Sequence, residues 1–387
     1  MLILDRERYW AFIKAYAICF ISLIGLYIVI DAFTKLDEFT EVTTGTAELF
    51  KYMGHFYAIR LSVMFDQLCG VMTMMAAIFT VTWMQRNNEL LAMLAAGLST
   101  QRVIRPVIVS AVIVSGLAVA NQECVLPRIG EELLRPPDDD GSRKVFVLGR
   151  EDVNGILVHG KDGDRSAQTI MPTNISLPAA VCGKPVEIEA KQGRYIPDND
   201  STSPHHGGWL LRGAKLSPHD ATLYDRYKML LVPVSKEELK SFPPPVGGLD
   251  LGGDAYFLTT NLSFAAVTRD RHWFQFATTA DLLIGLDDPA NAPERTEISV
   301  FIHYRLLRPL LSLTLLCLSL PLVLGGDSRN MFINLGLSLG TSALFYGILF
   351  VSQFLGNNSV ITPALAAWGP LIVFATLAVA RWDSIRT

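Results

Sequence analysis

The side chains able to do chemistry are few here, and their spacing matches no catalytic constellation. There is no HExxH, no GxSxG, and no Ser/Lys or Asp/Asp pair on facing apolar segments, so no catalytic residue is assigned. No GxxxxGK[ST] phosphate loop occurs, and the five cysteines form neither a CxxC nor any other metal-ligand spacing. Cys19, Cys69 and Cys317 lie in apolar runs, where a small buried hydrophobe is the plain reading. Cys124 and Cys182 fall in the polar middle and could pair if that region is oxidised. The adjacent His205 and His206 stand in a Pro/Gly-rich stretch that reads as a loop. More telling is Asp66, the one charge in Leu61 to Trp83. A carboxylate in such a run is expensive and needs a partner. Arg60 is too far along the same helix, so the partner must come from another helix or a water-filled cavity.

Two further patterns carry spacing information. In Gln85 to Ser99, Asn88 can cap a helix and Glu89 sits at its positive end. Leu90, Leu91, Leu94 and Leu98 are expected to form one apolar face, and Gly97 is placed to end the helix. Such a segment either lies on the membrane as a short amphipathic helix or inserts into a cytoplasmic motor subunit as a coupling helix. Gly336-x-x-x-Gly340, continued by Ala343 and Gly347, makes a small-residue stripe that lets another helix approach closely, within the bundle or beyond it.

The elements that must position these residues follow from the distribution of charge. Half of the 387 residues are apolar and 18% are charged, with a mean hydropathy of +0.32. Asn330 to Ala380 holds no Asp, Glu, Lys or Arg; neither do Pro309 to Gly326, Pro106 to Gln122 or Ala15 to Ile30. Crossing a bilayer takes about 20 mostly apolar residues, so the chain is a polytopic membrane protein and a soluble enzyme is excluded. A net charge of −4 argues against a nucleic-acid partner. Six spans are expected, at about 12–32, 60–83, 103–122, 304–324, 331–355 and 363–380, with the inner helix at about 86–99. Gly356-Asn-Asn-Ser359 separates the last two, and Thr362-Pro363 supplies a capping hydroxyl and a first-turn proline. The first span reads as uncleaved, since no small-x-small site follows it. Pro321 and Pro370 are expected to kink the fourth and sixth spans.

Between the two membrane halves (1–122 and 304–387), residues 123–268 change character to short alternating segments between turn signals. Lys144–Leu148, Gly155–His159, Val186–Ala190 and Gly208–Arg212 read as half-buried strands, and Lys161–Asp164 and Pro197–Asp200 as turns. The expectation is an inserted all-β domain, a sandwich or open roll, followed by a helical connector at 269–303. Arg6, Arg8, Lys14, Arg86, Arg102, Arg105, Arg329, Arg381 and Arg386 flank one side, against Lys35, Lys51 and Arg60 on the other. The positive-inside rule then puts both termini in the cytoplasm and the β-domain outside.

Together these motifs resemble the LptF/LptG (YjgP/YjgQ) permease family. The resemblance is carried by Leu4-Asp-Arg6, Arg86-x-x-Glu89-Leu90 with Ala95-Ala-Gly97-Leu-Ser99, Tyr304-Arg305-x-x-Arg308-Pro309-Leu310, Leu320-Pro321-Leu322, and Pro363-x-x-Ala366-Ala367-Trp368-x-Pro370. It covers both membrane halves, whereas the β-domain shows no matching motif. The resemblance implies six helices in a 3+3 arrangement with a jellyroll-like periplasmic domain, in a Gram-negative-type inner membrane. It further implies a permease that extracts lipopolysaccharide and passes it to a periplasmic bridge. Its partners would be a cytoplasmic LptB-like ATPase dimer, a second LptF/LptG-type permease and LptC/LptA-like jellyroll proteins. No cofactor is expected in this chain; ATP-Mg would belong to the ATPase. Arg86, Glu89, Leu91, Leu94, Gly97 and Leu98 would make the coupling contact. Lys35, Lys51 and Arg60 would meet the lipid's phosphates or act only as snorkelling anchors. Gly336, Gly340 and Gly347 would line a lateral gate. Asp66 departs from the family pattern, which is apolar with a proline near this position. Two other readings remain: a same-family permease for another amphiphile, and a membrane-anchored assembly protein that docks a periplasmic partner.

Overall fold

The structure is a computed structural model that describes residues 3–42, 45–134, 145–199, 203–217, 229–246, 252–324 and 331–382. Arg329 and Arg386, two of the cations counted for orientation, lie outside the described residues, as do Lys144 and Asp200. The chain divides into two units. One comprises Met1–Asp138, Phe274–Leu282 and Arg295–Thr387; the other comprises Asp139–Trp273 and Leu283–Glu294.

The first unit opens with α1 (Ile3–Thr34), α2 (Leu36–Val42), α3 (Thr46–Arg86), α4 (Glu89–Ala95) and α5 (Thr100–Ala120). A π-helical turn, Asn121–Val125, leads into α6 (Leu126–Leu133). After the β-rich unit and two short helices, α7 (Ala179–Cys182) and α8 (Phe264–Val267), come α9 (Thr279–Asp287), α10 (Arg295–Leu324), α11 (Met331–Asn357) and α12 (Pro363–Trp382). Among the described residues, six helices are long and apolar enough to cross a membrane. In lipid each backbone group must find its partner inside the element, which a helix provides. Hydroxyls within the helices also bond back along their own chain: Thr80 Oγ1 to Ala76 O at 2.7 Å, Ser110 Oγ to Pro106 O at 3.0 Å and Ser319 Oγ to Leu315 O at 2.9 Å. The start of α12 is as expected, with Thr362 Oγ1 accepting from Leu365 N at 3.3 Å.

The helices pack around Phe12, Met74, Ile78, Ile104, Leu315, Phe345 and Phe374. Small residues set the closest approaches. A Cβ added at Gly356 would meet Ala366 Cβ at 2.7 Å, and one at Gly70 would run into Tyr346 Oη. Tyr304 Oη ties three helices by donating toward Leu349 O and Ala366 O, each at 3.1 Å. Burial is uneven: 56% of the apolar window of α3 is buried, against 22% for α11 and 11% for α1.

The second unit is one antiparallel sheet. Its strands are β1 (Val145–Phe146), β2 (Arg150–Glu151), β3 (Leu157–Asp164), β4 (Thr169–Leu177), β5 (Val186–Ile196), β6 (Gly208–Ser217), β7 (Leu231–Val234) and β8 (Asp254–Thr259). They run in the order β1-β3-β4-β5-β6-β8-β7, with β2 beside β3. Both faces bear apolar clusters: Ile156, Ile188, Trp209, Leu211 and Leu258 on one, Ile196, Leu210, Phe242 and Phe257 on the other. The register of β6 on β8 slips between Arg212 and Ala214. Gly213, at φ +63°, takes the extra residue, so the face of Trp209 and Leu211 continues at Ala214. A buried ion pair between Arg150 and Glu294, with Arg150 Nη1 donating to Ala290 O at 3.0 Å, anchors the 3-10 turn Pro289–Glu294.

Several boundaries differ from the sequence reading. The chain stays helical past Gln122, through the π-turn and α6, where the β-domain was expected to start at 123. Its residues alternate poorly for a strand, and Pro127 sits where a first helical turn accepts it. The connector at 269–303 divides: 274–282 belong with the helices, 283–294 with the sheet. Lys161–Asp164 is strand, not turn, because Asp162 and Asp164 face Met171 and Thr169 across the ladder. The turn falls at Arg165–Gln168, where Asp164 Oδ1 accepts from Ser166 N at 2.9 Å and Ser166 Oγ at 2.6 Å. Those bonds hold the Asp164 carboxyl below the usual carboxylate range. Cys124 and Cys182 are free thiols.

Candidate functional site

Helix α4 is joined to α3 by Asn87 and Asn88 alone. Asn88 stands at the cap position with φ +60°, a left-handed conformation that asparagine tolerates, and makes no side-chain cap bond. The far end is a Schellman closure: Leu98 N donates to Met93 O at 3.1 Å, Gly97 N to Leu94 O at 2.9 Å, and Gly97 takes φ +82°. The apolar face is narrower than the spacing suggested. Leu90 and Met93 are buried with Met84 and Val103, and Leu94, Leu98 and Leu324 pack on that cluster. Leu91, about 100° around the helix from Leu90, is 57% exposed and lies off the buried face. Leu98 follows the helix rather than riding on it. Glu89 and Arg86 are exposed. Arg8 of α1 is buried and touches Met93 Sδ through Nη2, which links the start of α1 to α4. Gln85 Nε2 donates to Val323 O at 3.2 Å and ties the same end of α3 to α10.

The expected cationic rim assembles only in part. Lys35, at the α1–α2 junction, pairs with Asp31 at 2.8 Å, and Asp31 also accepts from Tyr57 Oη at 2.9 Å. Arg60 lies over the Phe56 ring at 3.6 Å and within electrostatic reach of Asp31. Lys51 is exposed, further out on α3. Phe39, fully buried, packs edge-on to Phe56 at 5.0 Å and meets Tyr52 and Tyr57, so α2 is pinned to α3 by aromatic contacts.

Asp66 has its partner on another helix. Arg308 of α10 gives Nη1 to Asp66 Oδ2 and Nη2 to Asp66 O at 2.9 Å. One turn earlier, Arg305 pairs with Glu123 at 3.0 Å and donates to Ala277 O at 2.6 Å and Gln122 O at 2.9 Å. Glu123 also accepts from Thr279 N at 3.1 Å, so the π-turn and the α9 start are clamped to α10. Depth could have revealed the Asp66 pairing. Asp66 precedes the end of α3 by 20 residues and Arg308 precedes the end of α10 by 16, which are similar heights at about 1.5 Å per residue.

With this geometry in view, the pattern of the lipopolysaccharide export system permease family LptF/LptG matches residues 8–135 and 185–383. The chain belongs to the LptF/LptG permease family. As an LptF/LptG permease it is a multi-pass membrane transporter subunit, with six apolar helices and a β-sheet insert, and not a catalytic enzyme. No curated protein matches the sequence. The unmatched stretch 136–184 holds β1 to β4 and α7, so kinship rests on the helices and the second half of the sheet. In this LptF/LptG permease the glycine stripe is open: among the described residues, nothing lies within 4 Å of a Cβ added at Gly336, Gly340 or Gly347. Packing inside the bundle therefore does not account for it.

Proposed function

We propose that this permease is one membrane subunit of a transporter that lifts lipopolysaccharide out of the inner membrane and passes it to LptC/LptA-like jellyroll proteins in the periplasm. ATP-Mg is hydrolysed in a separate LptB-like ATPase dimer in the cytoplasm, and this chain holds no cofactor. The observation that carries the reading is α4. Leu90 and Met93 tie it into the bundle, and Glu89 and Leu91 are exposed on its two flanks. A seven-residue helix with a fixed back and an exposed acidic flank suits a ball-and-socket contact with a motor subunit. Both termini and α4 are then cytoplasmic, and the sheet unit periplasmic. A second permease of the same family covers the sparsely buried faces of α1 and α11, where Phe33, Leu344, Phe350 and Val351 are exposed. Lys35, Arg60 and Lys51 lie at the end of the bundle where a phosphorylated glycolipid would leave the outer leaflet.

The decisive experiment is co-purification with the ATPase and measurement of export. Removing one partner of a desolvated charge pair costs about 2–5 kcal/mol, so Glu89→Lys should dissociate the ATPase or uncouple its hydrolysis while the helices stay folded. Normal assembly, export and stimulated hydrolysis in that variant would remove the coupling role.

A further inference from the structure

A cavity of about 450 Å³ opens within the helical unit, walled by α3, α5, α10 and α11. That volume lies in the range of small-molecule sites, roughly 300–1,000 Å³. Its wall is mostly apolar, but Asp66, Arg305 and Arg308 all reach it. Arg305 is committed to Glu123 and two backbone carbonyls. Arg308 is different: its side chain is 35% exposed although that of its partner, Asp66, is 7% exposed. Among the described residues Asp66 Oδ1 finds no hydrogen-bond partner, so the pair is satisfied on one side only.

A purely structural ion pair does not explain this arrangement. Buried pairs are often replaceable by apolar residues without loss of stability, and close-packed interiors leave few voids larger than a water. Here an incompletely satisfied pair borders a sizeable void, with Gln67 and Ser312 beside it. Depth supplies the ligand class. Asp66 lies six residues inside the apolar stretch that starts at Arg60, about 9 Å, close to one boundary of the hydrocarbon core. The cavity is therefore within reach of lipid headgroups and offers a mostly apolar wall for acyl carbon and a partly exposed guanidinium for an anion.

We propose that this cavity binds the phosphate of an anionic membrane lipid on Arg308, with the lipid and Asp66 competing for the same guanidinium. The inference rests on the membrane-spanning architecture and not on lipopolysaccharide being the cargo. Phosphate–guanidinium contacts are charge-assisted and can be bidentate, so the lipid has the means to draw Arg308 from Asp66. Asp66 then acts as the built-in competitor that keeps the site from holding its lipid permanently.

The competition makes opposite demands on two variants. Full-length protein in detergent is titrated with phosphatidylglycerol, phosphatidylcholine or inorganic phosphate, and lipid surviving collisional stripping is counted by native mass spectrometry. Asp66→Asn, which frees Arg308, should retain one phosphatidylglycerol at roughly tenfold lower lipid concentration than the parent. The charge-neutral pair Asp66→Asn with Arg308→Gln should lose that lipid, and Asp66→Asn with Arg308→Lys should recover part of it. Melting curves without lipid establish that each variant is folded. Equal retention in all variants, weaker retention in Asp66→Asn, or equal retention of phosphatidylcholine would overturn the proposal. Displacement of the lipid by equimolar inorganic phosphate would overturn it in favour of a free-anion site. None of these readouts needs the ATPase or export, so a failure here is distinguishable from a failure of the transport reading.

Discussion

Lys35 illustrates how a residue's type can be legible while its state is not. Its position after the apolar run of α1 marks it as an interfacial cation, but a side chain's partner depends on which neighbour lies one helical turn away. Asp31 is that neighbour, at i−4, and Tyr57 of α3 holds the same carboxylate. A lipid phosphate would have to share the ammonium with Asp31. Lys35→Glu would place a second anion beside Asp31, so photo-crosslinking of lipopolysaccharide to α1 should fall while the complex still assembles. Asp31→Asn keeps the cation and removes its competitor, and should leave crosslinking unchanged or raise it. If Lys35→Glu crosslinks and exports like the parent, Lys35 is an interfacial anchor and the phosphate is held elsewhere. Arg308 shows the complementary case: its motif was visible, but its role needed the height of Asp66 on a helix more than 200 residues away in sequence.

At the scale of elements, the long helices were the most legible part of the molecule, because lipid leaves an apolar run of some 20 residues little alternative. The ends were less so. Thr46–Ile59 continues α3 well beyond its apolar stretch, and nothing in hydropathy marks a polar extension that is held by aromatic contacts to α2. In the sheet, the strands were read from alternation, and the misplaced turn at Lys161–Asp164 arose because a polar strand edge has the composition of a loop. For α4, counting leucines overstated the buried face: periodicity groups residues only to within a turn, and Leu91 lies on the far side of that limit. The open stripe on α11 leads to a prediction at this scale. Gly340→Leu should leave the melting temperature of the isolated chain nearly unchanged, because among the described residues nothing lies within 4 Å of a Cβ added there. If a second permease packs there as proposed, the variant should nonetheless reduce its co-purification, since a small-residue face admits a neighbouring helix closely. A large drop in the chain's own melting temperature would mean that the stripe packs internally.

For the whole molecule, the open question of function becomes one of sidedness. On the proposed reading, the distribution of Lys and Arg predicts a cytoplasmic α4 and a periplasmic sheet unit. In a cysteine-free background, Lys184→Cys on the sheet unit should react with an impermeant maleimide in intact cells whose outer membrane is open. Asn87→Cys should react only after the inner membrane is permeabilised. Labelling of Asn87→Cys from outside would invert the arrangement and detach α4 from any cytoplasmic motor.

Helix α3 runs for 41 residues from Thr46 to Arg86 without a proline, a rod of about 60 Å. Its C-terminal end is two residues from α4, and its N-terminal part carries the aromatic cluster around Phe39. A rod of that length works as a lever. A tilt of about 5° imposed at the α4 end would swing the far tip by roughly 5 Å, the rise of one helical turn. Because no proline interrupts the rod, a tilt imposed at the α4 end would arrive at the other end enlarged rather than absorbed, and the segment that bears Lys51 and Arg60 is what it would move.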